Sequence, residues 1–308
     1  MAFTITNPIN TDGVSAVPGK DNRDLGLKLY SNMVLEAFDK KNVGRSLVTY
    51  RMITSGVSSQ FLVAGEFTDA DVSTHTPGAD VDTKVLKYDE VDIKIEDKLY
   101  VSTIVDKLDE KLSHFDHRAT LARQRSSALS DKLDKTIFTT IDAAISATPK
   151  AGQKAATVTV NTDIANATTL EEKGNAILES IFVTAGDFNK KNVPTEQRYF
   201  VTTPDNYQAL VLATKSVDKD YTNGNGGIDE GSVMKISGVS IIWTNNLPGT
   251  ADVEGYMLTP DAVGLVSAME VESEGNYLPE KLGWLLTDVM AYGIGVLDTT
   301  PVGVIKSA

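Results

Sequence analysis

The segment KLSHFDHRATLARQ, Lys111–Gln124, holds two of the chain's three histidines with an aspartate between them. His114 and His117 are three residues apart. On a helix that spacing puts both imidazoles on one face with the Asp116 carboxylate close by, the donor set of a metal centre. A catalytic zinc site takes three protein ligands and leaves a water position open, and the remaining histidine, His75, stands in a polar loop far along the chain. A metal-dependent enzyme built on His114 and His117 therefore needs a carboxylate as its third ligand. The competing reading is architectural. A long run without Gly or Pro begins at His117, so Asp116 stands where a helix N-cap belongs, and accepting from orphan N–H groups is a sufficient job for it. The ligand count favours the cap, so the sequence predicts no metal, no cofactor and no catalytic residue.

Other chemical signatures are missing. The chain has no G-x-S-x-G elbow, no H-E-x-x-H pair and no Walker loop. TNGNGGIDEGS, Thr222–Ser232, lacks the lysine and the spacing that cradle phosphates and reads as a flexible tip. DADVSTHTPGADVD, Asp69–Asp82, misses the calcium-loop spacing and its terminal glutamate, and reads as a solvated acidic loop. Arg118, Arg123 and Arg125 give the long helix a basic start, with solvent as their default setting.

The totals narrow the classes further. A formal net charge of −13 opposes binding to a phosphate backbone, which depends on Lys and Arg displacing counterions. With no cysteine there can be neither disulfide nor thiolate chemistry. The first twenty residues have no basic residue before Lys20 and no continuous apolar core, so a secretion signal is not expected. No apolar run approaches the roughly 20 residues that cross a bilayer, so no membrane partner is expected.

These residues must be positioned by elements that the patterning outlines. Residues 1 to about 24 read as an extended arm, and Leu25, Leu29, Val34, Leu35 and Phe38 have helical spacing that ends near Gly44. Phe61, Val63, Gly65 and Phe67 alternate, as do Val91, Ile93 and Ile95 against Asp92, Lys94 and Glu96. Those two strands enclose a polar stretch with a Pro77-Gly78 turn and too few large apolar side chains for a core of its own. A long hairpin of that kind is marginal in isolation, so it is expected to lie on a neighbouring molecule. Asp106 can cap a short helix carrying Leu108, Leu112 and Phe115. From His117 to about Ala147 Leu121, Leu129, Leu133, Ile137, Ile141 and Ile145 recur at intervals of four or eight, which predicts one helix about 45 Å long, ended by Pro149. An α/β module follows: a loop with one alternating patch (TVTV), a helix around LEEKGNAILESIFVTAGDFNKK, the strand RYFVTT, a helix opened by Pro204, and strands in VMKISGVSIIWTNNLP. The tail returns to β-branched, glycine-punctuated strand character.

In that order the blocks resemble the major capsid proteins of tailed bacteriophages, with their Hong Kong 97-type fold, and especially those of short-tailed podoviruses of the Autographivirus kind. MITSGVSSQFLVAGEFTDADVSTHTPGADVD is similar to the family's extended E-loop, and IVDKLDEKLSHFDHRATLARQRSSALSDKLDKTIFTTI to its short helix and long spine helix. VPTEQRYFVTTPDNYQALV with GSVMKISGVSIIWTNNLP resembles the axial A-domain, and AYGIGVLDTTPVGVIKS the last P-domain strands. The resemblance implies an α+β chain divided into an N-terminal arm and short helix (1–55), E-loop (56–97), P-domain with spine helix (98–148), A-domain (149–255) and P-domain return strands (256–308). It implies a structural virion protein assembled in the host bacterial cytoplasm, in which copies form hexamers and pentamers of an icosahedral shell around double-stranded DNA held without sequence-specific contacts. Its implied partners are further copies of itself, a portal protein at one vertex, and in some members a decoration protein. Phe61, Phe67, Pro77 and Gly78 are the E-loop positions expected at subunit contacts. About 115 residues precede the spine helix and all serve arm and hairpin, so a separate scaffolding protein is expected. Lys84 and Lys87 match no cross-linking site securely. A bacterial encapsulin nanocompartment, which encloses enzymes in a shell of the same fold, is the alternative, ahead of the metal-dependent enzyme.

Overall fold

The structure, a computed structural model, describes residues 34, 42–64, 72–75, 77, 78, 80, 83, 85, 88–95, 97–106, 117–150, 152–213, 226, 227, 232, 233, 235–250 and 252–307. Its strands are β1 (Thr49–Met52), β2 (Ser58–Ala64), β3 (Tyr88–Lys94), β4 (Asp97–Asp106), β5 (Thr157–Val160), β6 (Tyr199–Thr202), the two-residue β7 (Gly226–Gly227) and β8 (Ser232–Val233), β9 (Lys235–Ile236), β10 (Val239–Trp243), β11 (Val253–Leu258), β12 (Val263–Leu278), β13 (Gly283–Val296) and β14 (Val302–Lys306). The helices are α1 (His117–Ile145), α2 (Thr162–Asn166), α3 (Leu170–Lys190) and α4 (Pro204–Leu212). The mixture is α+β, as expected.

Two compact units share the chain. One takes Met1–Asn42, Glu96–Leu133 and Ser267–Tyr292; the other takes Val43–Ile95, Asp134–Val266 and Gly293–Ala308. In the first, β13 runs antiparallel to β4 in a register that pairs Asp288 with Val101 and Gly283 with Asp106. These strands belong to a sheet of order β1-β12-β13-β4. Leu99, Val101, Thr103 and Val105 are more buried than Lys98, Tyr100, Ser102 and Ile104, so the period is two and β4 runs through Asp106. The helix expected after Asp106 and most of the N-terminal helix lie outside the described residues, although Val34 is helical and buried.

The second unit holds the α/β module. Its sheet has the order β5-β14-β11-β6-β10-β9, with β10 parallel to β6, β14 parallel to β5, and β11 antiparallel to both β14 and β6. The alternating patch TVTV thus becomes β5, and the boundary expected between residues 255 and 256 falls inside β11. Helix α3 opens with a capping box: the Thr169 side chain accepts from the Glu172 N–H, and the Glu172 carboxylate accepts from the Thr169 N–H. Its inner stripe, Ile177, Leu178, Ile181, Ala185 and Phe188, packs with Phe200, Leu210 and Met257 into the module's core. Gly174 lets α4 come in close, since a Cβ there would stand 2.0 Å from the Ala209 carbonyl oxygen. Pro204 occupies the first turn of α4, where its missing N–H costs nothing.

Helix α1 matches the glycine- and proline-free run almost residue for residue. Leu129, Leu133, Ile137 and Ile141 are buried at intervals of four, and Ser126, Ser130 and Ala144 add small buried neighbours. Among the described residues of this helix, the charged Arg125 and Asp134 are buried as well.

Candidate functional site

The histidine constellation does not assemble into a described centre. His114 and Asp116 lie outside the described residues, and His117 begins α1. His75 is exposed, beside the Pro77-Gly78 turn. Among the described residues no group of three or more His, Cys, Asp or Glu side chains could hold a metal ion. The feature that can act is the hairpin.

Strands β2 and β3 pair antiparallel over seven residues, from Ser58 opposite Lys94 to Ala64 opposite Tyr88, and Ile95 extends the ladder by donating its N–H to the Val57 carbonyl at 2.9 Å. The alternation read from sequence is the burial pattern: Ser59, Phe61, Val91 and Ile93 face inward, while Gln60, Leu62, Glu90, Asp92 and Lys94 face out. Phe61 lies opposite Val91, and both join Ile93, Val266 and Leu297 in a small core. Phe61 is thus buried inside its own chain, at the root of the hairpin. Arg51 lies over its ring, with the guanidinium carbon 4.1 Å from the centroid, and donates to the Gln60 carbonyl at 2.9 Å and to Ser59 Oγ at 3.1 Å.

Three glycines let the root settle this deeply. A Cβ on Gly295 would stand 2.8 Å from Ile93 Cγ1, one on Gly264 would stand 2.9 Å from Ile93 Cδ1, and one on Gly293 would stand 2.2 Å from the Lys94 carbonyl oxygen. Gly293 and Gly295 are two apart on β13, so they present the same face to β3. Glycine inside a strand marks this kind of backbone approach, and the repeated glycine in AYGIGV was the available signal. Arg51 gave none, being one basic residue in a short strand.

Beyond the root, Pro77 and Gly78 form an exposed turn with Gly78 at φ 92°, and Phe67 lies outside the described residues. Leu62, Val72 and Val85 are large apolar side chains left exposed on or within the hairpin. Lys150 reaches the β3 strand, donating from Nζ to the Glu90 carbonyl at 3.3 Å.

Two further polar arrangements fix the scaffold. In the first unit the Arg125 guanidinium pairs through Nε with Asp288 Oδ2 at 3.0 Å and donates from Nη2 to the Val101 carbonyl, so it joins α1 to both β13 and β4. The solvent setting expected for Arg125 is therefore overturned: its side chain is 4% exposed and that of Asp288 is 0%. Burial makes each charge depend on surrounding protein groups, the opposite charge among them, for the stabilisation that water would supply. In the second unit, Asp134 accepts from the Gly44 N–H at 2.9 Å and the Val43 N–H at 3.3 Å, holding the 3-10 turn Gly44–Leu47 that leads into β1. Tyr256 Oη donates to Asp142 Oδ1 at 2.8 Å, and burial first, then that carboxylate, pushes the phenol well above its ordinary range.

A scaffold of this topology with a long paired arm can be compared with known proteins. The family model described as Gp10A-like major capsid protein matches residues 69–276. The chain belongs to the Gp10A-like major capsid protein family. It is 27% identical over 214 residues to the major capsid protein of Enterobacteria phage T3, a match covering 67% of this chain and 61% of that protein. It is 26% identical over 240 residues to the major capsid protein of Escherichia phage T7, covering 75% of this chain and 68% of that protein. The chain thus spans about three fifths of the length of its T3 relative. Among solved structures, the capsid of cyanophage P-SCSP1u superposes with a TM-score of 0.75 and 26% identity over 100% of this chain and 99% of that one. The fold of this family member is accordingly the Hong Kong 97-type capsid fold. No helix among its described residues is long and apolar enough to cross a membrane.

Proposed function

We propose that this protein is the major capsid protein of a tailed double-stranded DNA bacteriophage, a structural virion component without enzymatic activity. Copies associate as hexamers and pentamers and close into an icosahedral shell around the genome. The observation that carries this reading is the family match across residues 69–276 together with a hairpin whose root is buried and whose outer face keeps apolar side chains in water. Exposing Leu62, Val72 and Val85 costs free energy unless another surface covers them. A neighbouring copy is that surface. Phe61 then acts indirectly, fixing the direction in which the arm leaves its own subunit, while Pro77, Gly78 and Phe67 belong to the part laid over the neighbour.

In the same reading, residues 1–55 are the N-terminal arm and short helix, 56–97 the E-loop, 98–148 the P-domain with α1 as its spine helix, 149–255 the A-domain and 256–308 the P-domain return strands. A separate scaffolding protein guides assembly, a portal protein replaces capsomers at one vertex, and a decoration protein is an optional outer partner. The chain's net charge of −13 opposes adhesion to the DNA that the shell must release. The family match favours this over an enzyme-enclosing nanocompartment.

The test is electron microscopy of the purified chain, expressed alone and with the scaffolding protein encoded beside it. Regular shells, tubes or capsomer rings are expected. A monomer under both conditions at high concentration would overturn the proposal.

A further inference from the structure

The six-stranded sheet of the second unit ends at β5, whose sequence is TVTV. In a parallel ladder successive residues turn their N–H and C=O groups to alternate sides. Asn161 donates its N–H to the Lys306 carbonyl at 2.9 Å, so Thr157 and Thr159 share its parity and bond to β14, while the N–H and C=O groups of Val158 and Val160 point away from the sheet. Among the described residues nothing bonds to those groups. The two side chains are half in water as well, Val158 at 49% and Val160 at 54% exposure. Edge strands are normally blunted by a charge or a proline, and TVTV contains neither.

Helix α3 runs beside β5 in the opposite direction. The Asn161 amide donates to Ser180 Oγ at 3.1 Å, the Thr159 and Thr184 hydroxyls hydrogen-bond at 2.8 Å, and Lys191 Nζ, just past the helix, donates to Thr157 Oγ1 at 2.6 Å. Ser180 and Thr184 thus face β5, with Ile177, Ile181 and Phe188 to one side of them in the core. Glu179, Val183 and Lys190 fall on the other side, beyond the free edge, and Val183 is 50% exposed there. Strand and helix give this edge the same polarity: exposed Lys154 and Lys190 stand at its Thr157 end, exposed Asp163 and Glu179 at its Val160 end. Lys190 is held by Asp187 at 2.8 Å, whereas Lys154 and Lys191 donate to the uncharged oxygens of Lys191, Ala155 and Thr157, which leaves net positive charge at that end.

We propose that β5 receives an added antiparallel strand from another protein: an extended segment with a base at its start, β-branched residues in its middle and acids at its end. Main-chain bonds to Val158 and Val160 attach it, Val183 and the two valines border it, and the charges set its direction. The inference rests on the shell reading, in which this module lies at the capsomer axis. Copies there follow one another by rotation, so two β5 edges never face each other and the β5 of a second copy is not the occupant.

The test uses the full unassembled chain and a short synthetic peptide with lysine first, alternating threonine and valine in the middle and two aspartates last. Binding is followed by fluorescence anisotropy and by residue-resolved hydrogen exchange. Saturating peptide is expected to slow exchange of the Val158 and Val160 amides about tenfold or more and to leave that of Thr159, already bonded to β14, unchanged. Val158→Pro removes an outward N–H, which an edge strand tolerates, so thermal melting should hold while peptide affinity falls about tenfold. Lys154→Glu should weaken binding about threefold, and a peptide ending in lysines in place of aspartates should recover it. Binding without protection of Val158 and Val160, equal affinity for Val158→Pro, no binding at millimolar peptide, or self-association that protects the same amides without peptide would each overturn the added strand and leave the shell reading standing. Failure of the unaltered chain to assemble at all would overturn the shell reading, and protection of the two amides by the peptide would still decide the strand.

Discussion

Removing the Arg125 guanidinium is the sharpest perturbation the structure offers. The pair it forms with Asp288 is buried on both sides, at 4% and 0% exposure, and close at 3.0 Å. A solvent-exposed ion pair is worth about 0–1 kcal/mol, whereas deleting one member of a buried pair leaves an uncompensated charge and costs about 3–5 kcal/mol. Arg125→Ala also strips the Val101 carbonyl of its donor and α1 of a filled contact, so the upper half of that range is expected. Against a total stability of about 5–15 kcal/mol this is a large fraction. The assay is urea unfolding of unassembled chain in a Trp243→Phe background, where Trp284, four residues from Asp288 on β13, reports on the first unit. With a slope of about 2–3 kcal/mol per molar urea, the midpoint should fall by about 1.3–2.5 M. The double replacement Arg125→Met/Asp288→Leu removes both charges and should recover most of the loss, since apolar substitutes for a buried pair are often neutral or better. A single-variant loss under about 1 kcal/mol, or a double variant as unstable as the single one, would refute the claim that burial makes this pair matter.

Other expectations follow from the same geometry. Gly293→Ala forces a Cβ against the Lys94 carbonyl oxygen and should destabilise the second unit by about 1–3 kcal/mol, read by thermal melting, with Gly295→Ala milder because the yielding partner is the side chain of Ile93. Tyr256→Phe deletes the donor to Asp142 and should cost about 1–2 kcal/mol. Because the Tyr256 phenol is held above its unfolded value, its contribution is complete below an unfolded pKa of about 10 and fades as pH rises above it, so alkaline difference spectra should show a tyrosine that ionises only on unfolding. Glu172 runs the opposite way: hydrogen bonds from the Thr168 side chain and backbone, and from the Thr169 N–H, lower its carboxyl, so the cap is complete above pH about 4.5 and is lost as pH falls through the depressed value. Glu172→Gln should flatten that acid-side loss of amide protection in the first turn of α3, measured by hydrogen exchange.

What the sequence determined by itself is what local physics controls. Helix α1 is bounded by a run free of glycine and proline and by Pro149, both visible without coordinates, because helix continuity depends on each residue's own backbone. The proline at the start of α4 and the two hairpin strands were legible for the same reason, as was the order of blocks that resembles the capsid family. Tertiary structure decided whatever depends on distant partners. Val302–Lys306 lies between β5 and β11, although about 140 residues separate it from β5, since strand order is set by whole faces being buried together. Arg125 looked like one of three surface arginines, and only the approach of Val101 and Asp288 buries its charge. Gly293 and Gly295 looked like loosened strand, and only the crossing of β3 makes the missing Cβ atoms the reason the hairpin root can sit where it does.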